Sequence, residues 1–163
     1  MKDHSLEVHG CHTYDATGAI SPSICLSATF RHPRFGESTG YDYGRVANPT
    51  RESLEKTVAL LERGGRSWAL SSGMAAVQLV FSLLSAGDHV LMSEDLYGGT
   101  VRLAEEVFAG YGITFEYVDV RDLALVGKRM RSETKLVFIE TPSNPMMQIS
   151  DIAALSALAH ENG

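Results

Sequence analysis

The chain has 163 residues, 44% apolar and 21% charged, with a formal net charge of −6. That length supports one domain with a real core, and the negative balance argues against nucleic acid and anionic membrane as partners. No apolar run reaches the roughly 18 residues of a membrane span, the first residues carry no signal-peptide stretch, and Cys11 and Cys25 are too few for a disulfide scaffold, so the expectation is a soluble cytoplasmic protein.

Residues 1–48 are punctuated by Gly10, Gly18, Pro22, Pro33, Gly36, Gly40 and Gly44 and show no sustained helical period. They read as an irregular arm of loops and extended pieces. So long an irregular stretch is unusual inside a compact domain, and an arm that reaches over a neighbouring subunit accounts for it. The run His9, Gly10, Cys11, His12 is metal-like at first sight. A zinc site needs about four well-spaced ligands, and no second cluster accompanies it, so no metal is expected.

Residues 49–163 read as one α/β domain. Asn48 suits a helix N-cap and Pro49 the first helical position. Leu54, Val58 and Leu61 recur at helical spacing and predict a core-facing stripe, which Gly64 and Gly65 end. Next come a short strand at 67–70, an apolar and buried helix at 74–84, and a strand at 89–92. A helix at 100–111 is expected to turn Leu103, Val107 and Phe108 inward, followed by a strand at 113–118 and a helix at 120–130. A strand at 135–139 has the composition of a fully buried one, and Asp151 caps a last helix ending near His160. This alternation predicts right-handed βαβ units and a mainly parallel sheet of at least four strands with flanking helices.

In such a sheet the loops beyond the carboxyl ends of the strands share one crevice, where ligands bind. Ser72, Gly73 and Met74 turn a strand into a helix whose first amides have no internal partner and suit a phosphate; a plain strand–helix turn has the same composition. Tyr43 and Arg45 offer a phosphate three donors, although the pair also reads as ordinary surface. Tyr97, followed by Gly98 and Gly99, offers a ring for stacking and a hydroxyl for proton transfer, or is a half-buried loop tyrosine. Asn144, between Pro142 and Pro145, sits in a stiffened loop that aims its amide in one direction, or in a simple turn. A phosphate cup, an aromatic face and an aimed amide match a flat phosphorylated aromatic cofactor.

These stretches, with Thr17-Gly18-Ala19-Ile20, Tyr43-Gly44-Arg45-Val46-Ala47-Asn48-Pro49-Thr50-Arg51, Gly87-Asp88-His89-Val90 and Glu140-Thr141-Pro142-Ser143-Asn144-Pro145, resemble the Cys/Met metabolism family of pyridoxal-phosphate enzymes in order and along nearly the whole chain. That family holds cystathionine γ-synthases, γ- and β-lyases and homoserine-ester sulfhydrylases. The resemblance implies an aminotransferase-like, fold-type I large domain in truncated form, pyridoxal 5'-phosphate as cofactor, a homo-oligomer, and β/γ-elimination or γ-replacement on sulfur amino acids or homoserine esters. It implies phosphate binding by Ser72, Gly73 and Met74, a phosphate grip by Tyr43 and Arg45 of a neighbouring subunit, stacking and proton transfer by Tyr97, and a hydrogen bond from Asn144 to the cofactor's phenolic oxygen.

The family pattern continues beyond these motifs to an Asp at the pyridine nitrogen, a Schiff-base lysine and an Arg for the substrate carboxylate. Here the lysines are Lys2, Lys56, Lys128 and Lys135, none in a matching context. The expectation is therefore the N-terminal part of a trans-sulfuration enzyme, inactive by itself; the alternative is a truncated product or a partner-dependent half of a split enzyme. A generic nucleotide-binding domain is disfavoured, since neither a Gly-x-Gly-x-x-Gly nor a P-loop pattern occurs.

Overall fold

A computed structural model describes residues 18–163 together with Gly10. The other residues of the His9 to His12 run lie outside the described part. The chain separates into two compact units, one reaching to Leu70 and the other spanning Ser71–Gly163.

In the first unit, residues 18–48 form neither helix nor strand; one antiparallel bridge joins Thr29 to Tyr43. Helix α1 (Pro49–Leu61) begins where Asn48, in extended backbone, accepts the Thr50 N–H at 2.9 Å. It ends in a Schellman closure: Gly64 N–H donates to Ala59 O at 2.8 Å and Arg63 N–H to Leu60 O at 3.2 Å. The left-handed position at φ 53° belongs to Arg63, one residue before the two glycines. The expected inward stripe is not inward. Leu54, Val58 and Leu61 are exposed, and Thr57 and Ala59 are buried instead. The covered strip is set by residues 67–69, which fold back along the helix: Ser67 Oγ donates to Glu55 O at 2.6 Å and Ala69 N–H to Glu55 Oε1 at 2.9 Å. The same bonds explain why 67–70 is no strand. The Ala69 amide is satisfied by a carboxylate rather than by a sheet neighbour.

The second unit is built on three parallel strands, β1 (His89–Ser93), β2 (Thr114–Val118) and β3 (Thr134–Phe138), in the order β2-β1-β3. Helix α2 (Gly73–Phe81) precedes β1. Helix α3 (Gly98–Arg102) follows it and runs on through a π turn, Leu103–Val107, and a 3-10 turn, Phe108–Tyr111. Helix α4 (Leu123–Arg129) links β2 to β3, and α5 (Ile152–Glu161) comes last. Asp122 and Asp151 cap these two helices by accepting the Leu125 and Ala154 N–H groups at 3.0 Å.

Strand β1 is buried along its whole length, and its alternating side chains feed two cores. Val90 and Met92 join Phe81, Leu96, Ala104, Phe108 and Ile113 on one face. Leu91 joins Val118, Val120, Val126 and Leu155 on the other. Phe81 centres the first core, with its ring 5.4 to 5.5 Å from those of Phe108, Phe115 and Phe138.

Three packing expectations are corrected. Of α2 only Phe81 is buried, while Leu79 and Val80, and Leu83 just beyond the helix, stand exposed, because a single face of the helix meets the sheet. Val107 is exposed because the helix widens into a π turn there, so that Ala104 and Phe108 take the inward positions. Strand β3 is half-buried with Lys135 exposed, since among the described residues it pairs only with β1. The described sheet therefore has three strands rather than four or more.

At the amino end of the sheet His89 is 1% exposed. Its Nδ1 lies 2.8 Å from Thr134 Oγ1, and its Nε2 faces Glu116 Oε2 at 3.4 Å without good hydrogen-bond geometry. Glu116 also pairs with Arg129 at 3.0 Å and with Arg131. Burial, with the Arg131 charge beside it, holds the imidazole below its ordinary pKa against the opposing pull of Glu116 and Glu133.

Two predictions follow from this packing. Phe81→Ala is expected to cost about 3–5 kcal/mol, since it empties the centre of an aromatic cluster, as read from urea denaturation midpoints. For His89, the unfolded chain takes up a proton near pH 6.5 while the native state resists it. The unfolded state then binds more protons, and stability is lost as pH falls below that value, with a slope of at most about 1.4 kcal/mol per pH unit. The difference between the denaturation slope of the wild type and that of His89→Gln from pH 7 to pH 5 measures it.

Candidate functional site

Three chain segments meet at the carboxyl edge of the sheet: the start of α2, the loop from β1 into α3, and the first residues after β3. Between them lies a cleft of about 450 Å³. Val77, Thr100, Phe138 and Ile139 line its inner part, and Ser72, Gly73, Met74, Tyr97 and Glu140 complete it.

Ser72 is extended, and its Oγ caps α2 by accepting the Ala75 N–H at 3.1 Å. The Gly73 and Met74 amides are among the first of the helix and have no intrahelical partner. They carry the partial positive charge of a helix start, and the Ser72 hydroxyl retains a proton to donate. The chemistry of this end of the cleft is that of an anion site.

Tyr97 ends the β1 loop and is half exposed, at 48%. Its ring folds over Gly99: a Cβ there would overlap Tyr97 Cε1 and come 3.1 Å from Met74 Sδ. At Gly98 a Cβ would meet nothing closer than an Arg102 nitrogen at 4.0 Å. Of the two glycines, Gly99 is the one the ring position requires. Tyr117, in contrast, is partly buried in β2 with its hydroxyl enclosed, and that burial, with Glu105 beside it, pushes its phenol up to about 12 and keeps it protonated at neutral pH.

The loops after β1 and β3 are tied to each other twice. Asp95 Oδ2 accepts both the Ser143 hydroxyl and the Met146 N–H, the latter at 3.0 Å. Glu140 Oε2 accepts the Tyr97 N–H at 3.1 Å. Ser143 is 2% exposed, and its Oγ also accepts the Gln148 N–H at 2.9 Å, closing the β3 loop on itself.

The structure thus brings Ser72, Gly73, Met74 and Tyr97 around one cleft. Asn144 stands exposed in the loop after β3 and is not among the residues that line the cleft. Tyr43 and Arg45 belong to the first unit, where the Arg45 guanidinium lies 4.8 Å from the Tyr43 ring centroid. Between them Gly44 donates to Ala28 O at 2.8 Å, and a Cβ on it would come within 3.0 Å of Ser27 O. The roles of Asp95, Glu140 and Ser143 are not among those the loop motifs suggest. A signal existed: Asp95 and Glu140 each fall two residues past the end of a parallel strand, β1 at Ser93 and β3 at Phe138.

A parallel sheet with its cleft at the carboxyl edge places the chain among α/β ligand-binding folds. Residues 4–163 match the family described as Cys/Met metabolism PLP-dependent enzymes, and the chain belongs to that family. It is 46% identical over 149 residues to a cystathionine gamma-synthase/O-acetylhomoserine (thiol)-lyase of Bacillus subtilis, covering 91% of this chain and 40% of that protein. It is 48% identical over 151 residues to the cystathionine beta-lyase MetC of the same organism, covering 93% and 39%. A crystal structure of cystathionine gamma-lyase from Lactobacillus plantarum complexed with L-serine superposes with a TM-score of 0.91 at 45% identity, over 99% of this chain and 42% of that one. The sheet and its helices are accordingly part of the aminotransferase-like, fold-type I large domain. The chain spans about two fifths of the length of these relatives. No helix among the described residues is long and apolar enough to cross a membrane.

Gly99→Ala provides a test of the cleft geometry. The added methyl displaces the Tyr97 ring, while alanine regains up to about 1 kcal/mol of helix propensity. The expected result is unchanged or slightly higher thermal stability together with a shifted Tyr97 ring resonance in two-dimensional NMR.

Proposed function

We propose that the chain is the N-terminal part of a pyridoxal-phosphate-dependent trans-sulfuration enzyme catalysing β/γ-elimination or γ-replacement on sulfur amino acids or homoserine esters. The observation that carries this reading is the cleft in which the first amides of α2, Gly73 and Met74, face an accessible tyrosine ring. The donor set fits the cofactor: two free amides and a hydroxyl for the phosphate, a ring face for the pyridine, and at Gly99 a missing Cβ where one would strike that ring. When bound, pyridoxal phosphate supplies an electron-accepting ring conjugated to the substrate amino acid.

In this reading Ser72, Gly73 and Met74 hold the phosphate, and Tyr43 and Arg45 reach it from a neighbouring subunit of a homo-oligomer. Tyr97 covers one face of the ring, excludes water from it and passes a proton through its hydroxyl. Asn144 orients the ring by one hydrogen bond. In the same reading the protein works in the cytoplasm, and its partners are small amino-acid substrates and copies of itself.

None of the residues lining the cleft is a lysine. Lys128 and Lys135 lie on α4 and near the amino end of β3, and Lys56 is paired with Glu52 at 2.8 Å in the first unit. We infer that the covalent lysine comes from sequence beyond these 163 residues, so that the chain by itself is inactive. The edge of β3, unpaired among the described residues, and the exposed Leu79, Val80 and Leu83 favour the same view, since more polypeptide is needed to cover them, either in the same chain or as the other half of a split enzyme.

In the holoenzyme, Arg45→Ala is expected to weaken cofactor affinity about tenfold or more, read from the visible absorption of bound cofactor. Tyr97→Phe is expected to retain the cofactor and to lower kcat about a hundredfold. The 163-residue chain alone is expected to release no product from cystathionine or a homoserine ester; steady turnover would overturn the assignment of the missing lysine.

A further inference from the structure

The two loops that follow β1 and β3 exchange carboxylates. Asp95, on the first loop, grips Ser143 and Met146 on the second; Glu140, on the second, grips the backbone of Tyr97 on the first. The exchange is reciprocal, so neither loop can slide along the sheet edge without breaking a charge-assisted hydrogen bond. The residues gripped flank the two groups assigned to the cofactor ring: Glu140 holds Tyr97 itself, and Ser143 immediately precedes Asn144. Ser143 is buried and closes its own loop through Gln148, so the position of Asn144 is inherited from Asp95 through a rigid link.

We propose that Asp95 is a positioning residue that, with Glu140 as its counterpart, sets the separation between the Tyr97 ring and the Asn144 amide and thereby the fit of the cofactor ring. The proposal rests on the pyridoxal-phosphate reading. Both donors to Asp95 converge on one oxygen, Oδ2. What the brace requires is therefore an oxygen at that point rather than a negative charge. An asparagine can place its amide oxygen there and keep both bonds, whereas an alanine loses both.

The experiment compares the holoenzyme with its Asp95→Asn, Asp95→Ala, Ser143→Ala and Glu140→Gln variants. It reads cofactor affinity by fluorescence titration, the visible circular dichroism of bound cofactor, which reports how the ring is held, and the melting temperature of the cofactor-free protein. Asp95→Ala is expected to weaken affinity about tenfold and to halve the dichroic band, and Asp95→Asn to stay within about twofold of the wild type in both. Ser143→Ala, which leaves the Met146 N–H on Asp95, is expected to fall between them and serves if Asp95→Ala does not fold. Glu140→Gln, which also keeps an oxygen for the Tyr97 N–H, is expected to behave like Asp95→Asn.

A lower melting temperature in Asp95→Ala with affinity and dichroism unchanged would reduce the brace to a stabilising contact and overturn the proposal. Asp95→Asn as impaired as Asp95→Ala would show that charge, not placement, matters, and would overturn it equally. Wild-type protein with no dichroic band and no titration would sink the cofactor reading itself, an outcome separate from either.

Discussion

The second unit depends on the burial of β1 between two parallel neighbours. Because β2 and β3 run in the same direction as β1, every strand delivers its chain to the same edge, and the connections must return as crossovers over the faces. Val90 and Met92 commit one face to the Phe81 cluster, and Leu91 commits the other to Val126 and Leu155. A shift of one residue in β1 would exchange these faces. The register with His89 opposite Thr114 and Thr134 is thus held by hydrophobic burial at the centre and by the polar group around His89 at the amino end. Site geometry at the opposite edge follows from that register.

At the carboxyl edge the contributions are of different kinds. The helix start gives a fixed partial charge that does not titrate. Tyr97 gives an aromatic surface whose position is permitted by the lack of a Cβ on Gly99. Asp95 and Glu140 contribute by holding backbone and hydroxyl donors of the other loop. The cleft is assembled by parts of the chain that each satisfy a local requirement first: Ser72 caps a helix, Ser143 closes a loop, Thr100 lies buried beneath.

Much of this was legible in the sequence. Asn48 and Asp151 announced helix starts through their capping chemistry, and the apolar runs at 89–92 and 113–118 became β1 and β2 with a residue or so of difference. Periodicity failed where the partner of a face had to be known. Leu54, Val58 and Leu61 follow a helical period yet are exposed, because the folding back of residues 67–69 chose a different strip. Val107 failed because a π turn breaks the period without a mark in composition. Residues 67–70 were apolar enough for a strand, but one carboxylate, Glu55, took the Ala69 amide. In the site, the residues that carry charge or ring chemistry were visible from their loops; the carboxylates that arrange them were not, since Asp95 and Glu140 find their donors 43 to 51 residues away.

The edge of β3, unpaired among the described residues, and the apolar side chains on and just after α2 bear on how such a chain is made. Synthesis proceeds from the amino terminus, so a nascent chain that has just completed β3 displays one unpaired side of that strand and the side chains of Leu79, Val80 and Leu83. An open strand is a template for pairing with another chain, and transiently bare apolar surface is what draws partly made proteins into clumps. For this polypeptide the hazardous interval on the ribosome is the one in which the cleft at the carboxyl edge of the sheet is already taking shape.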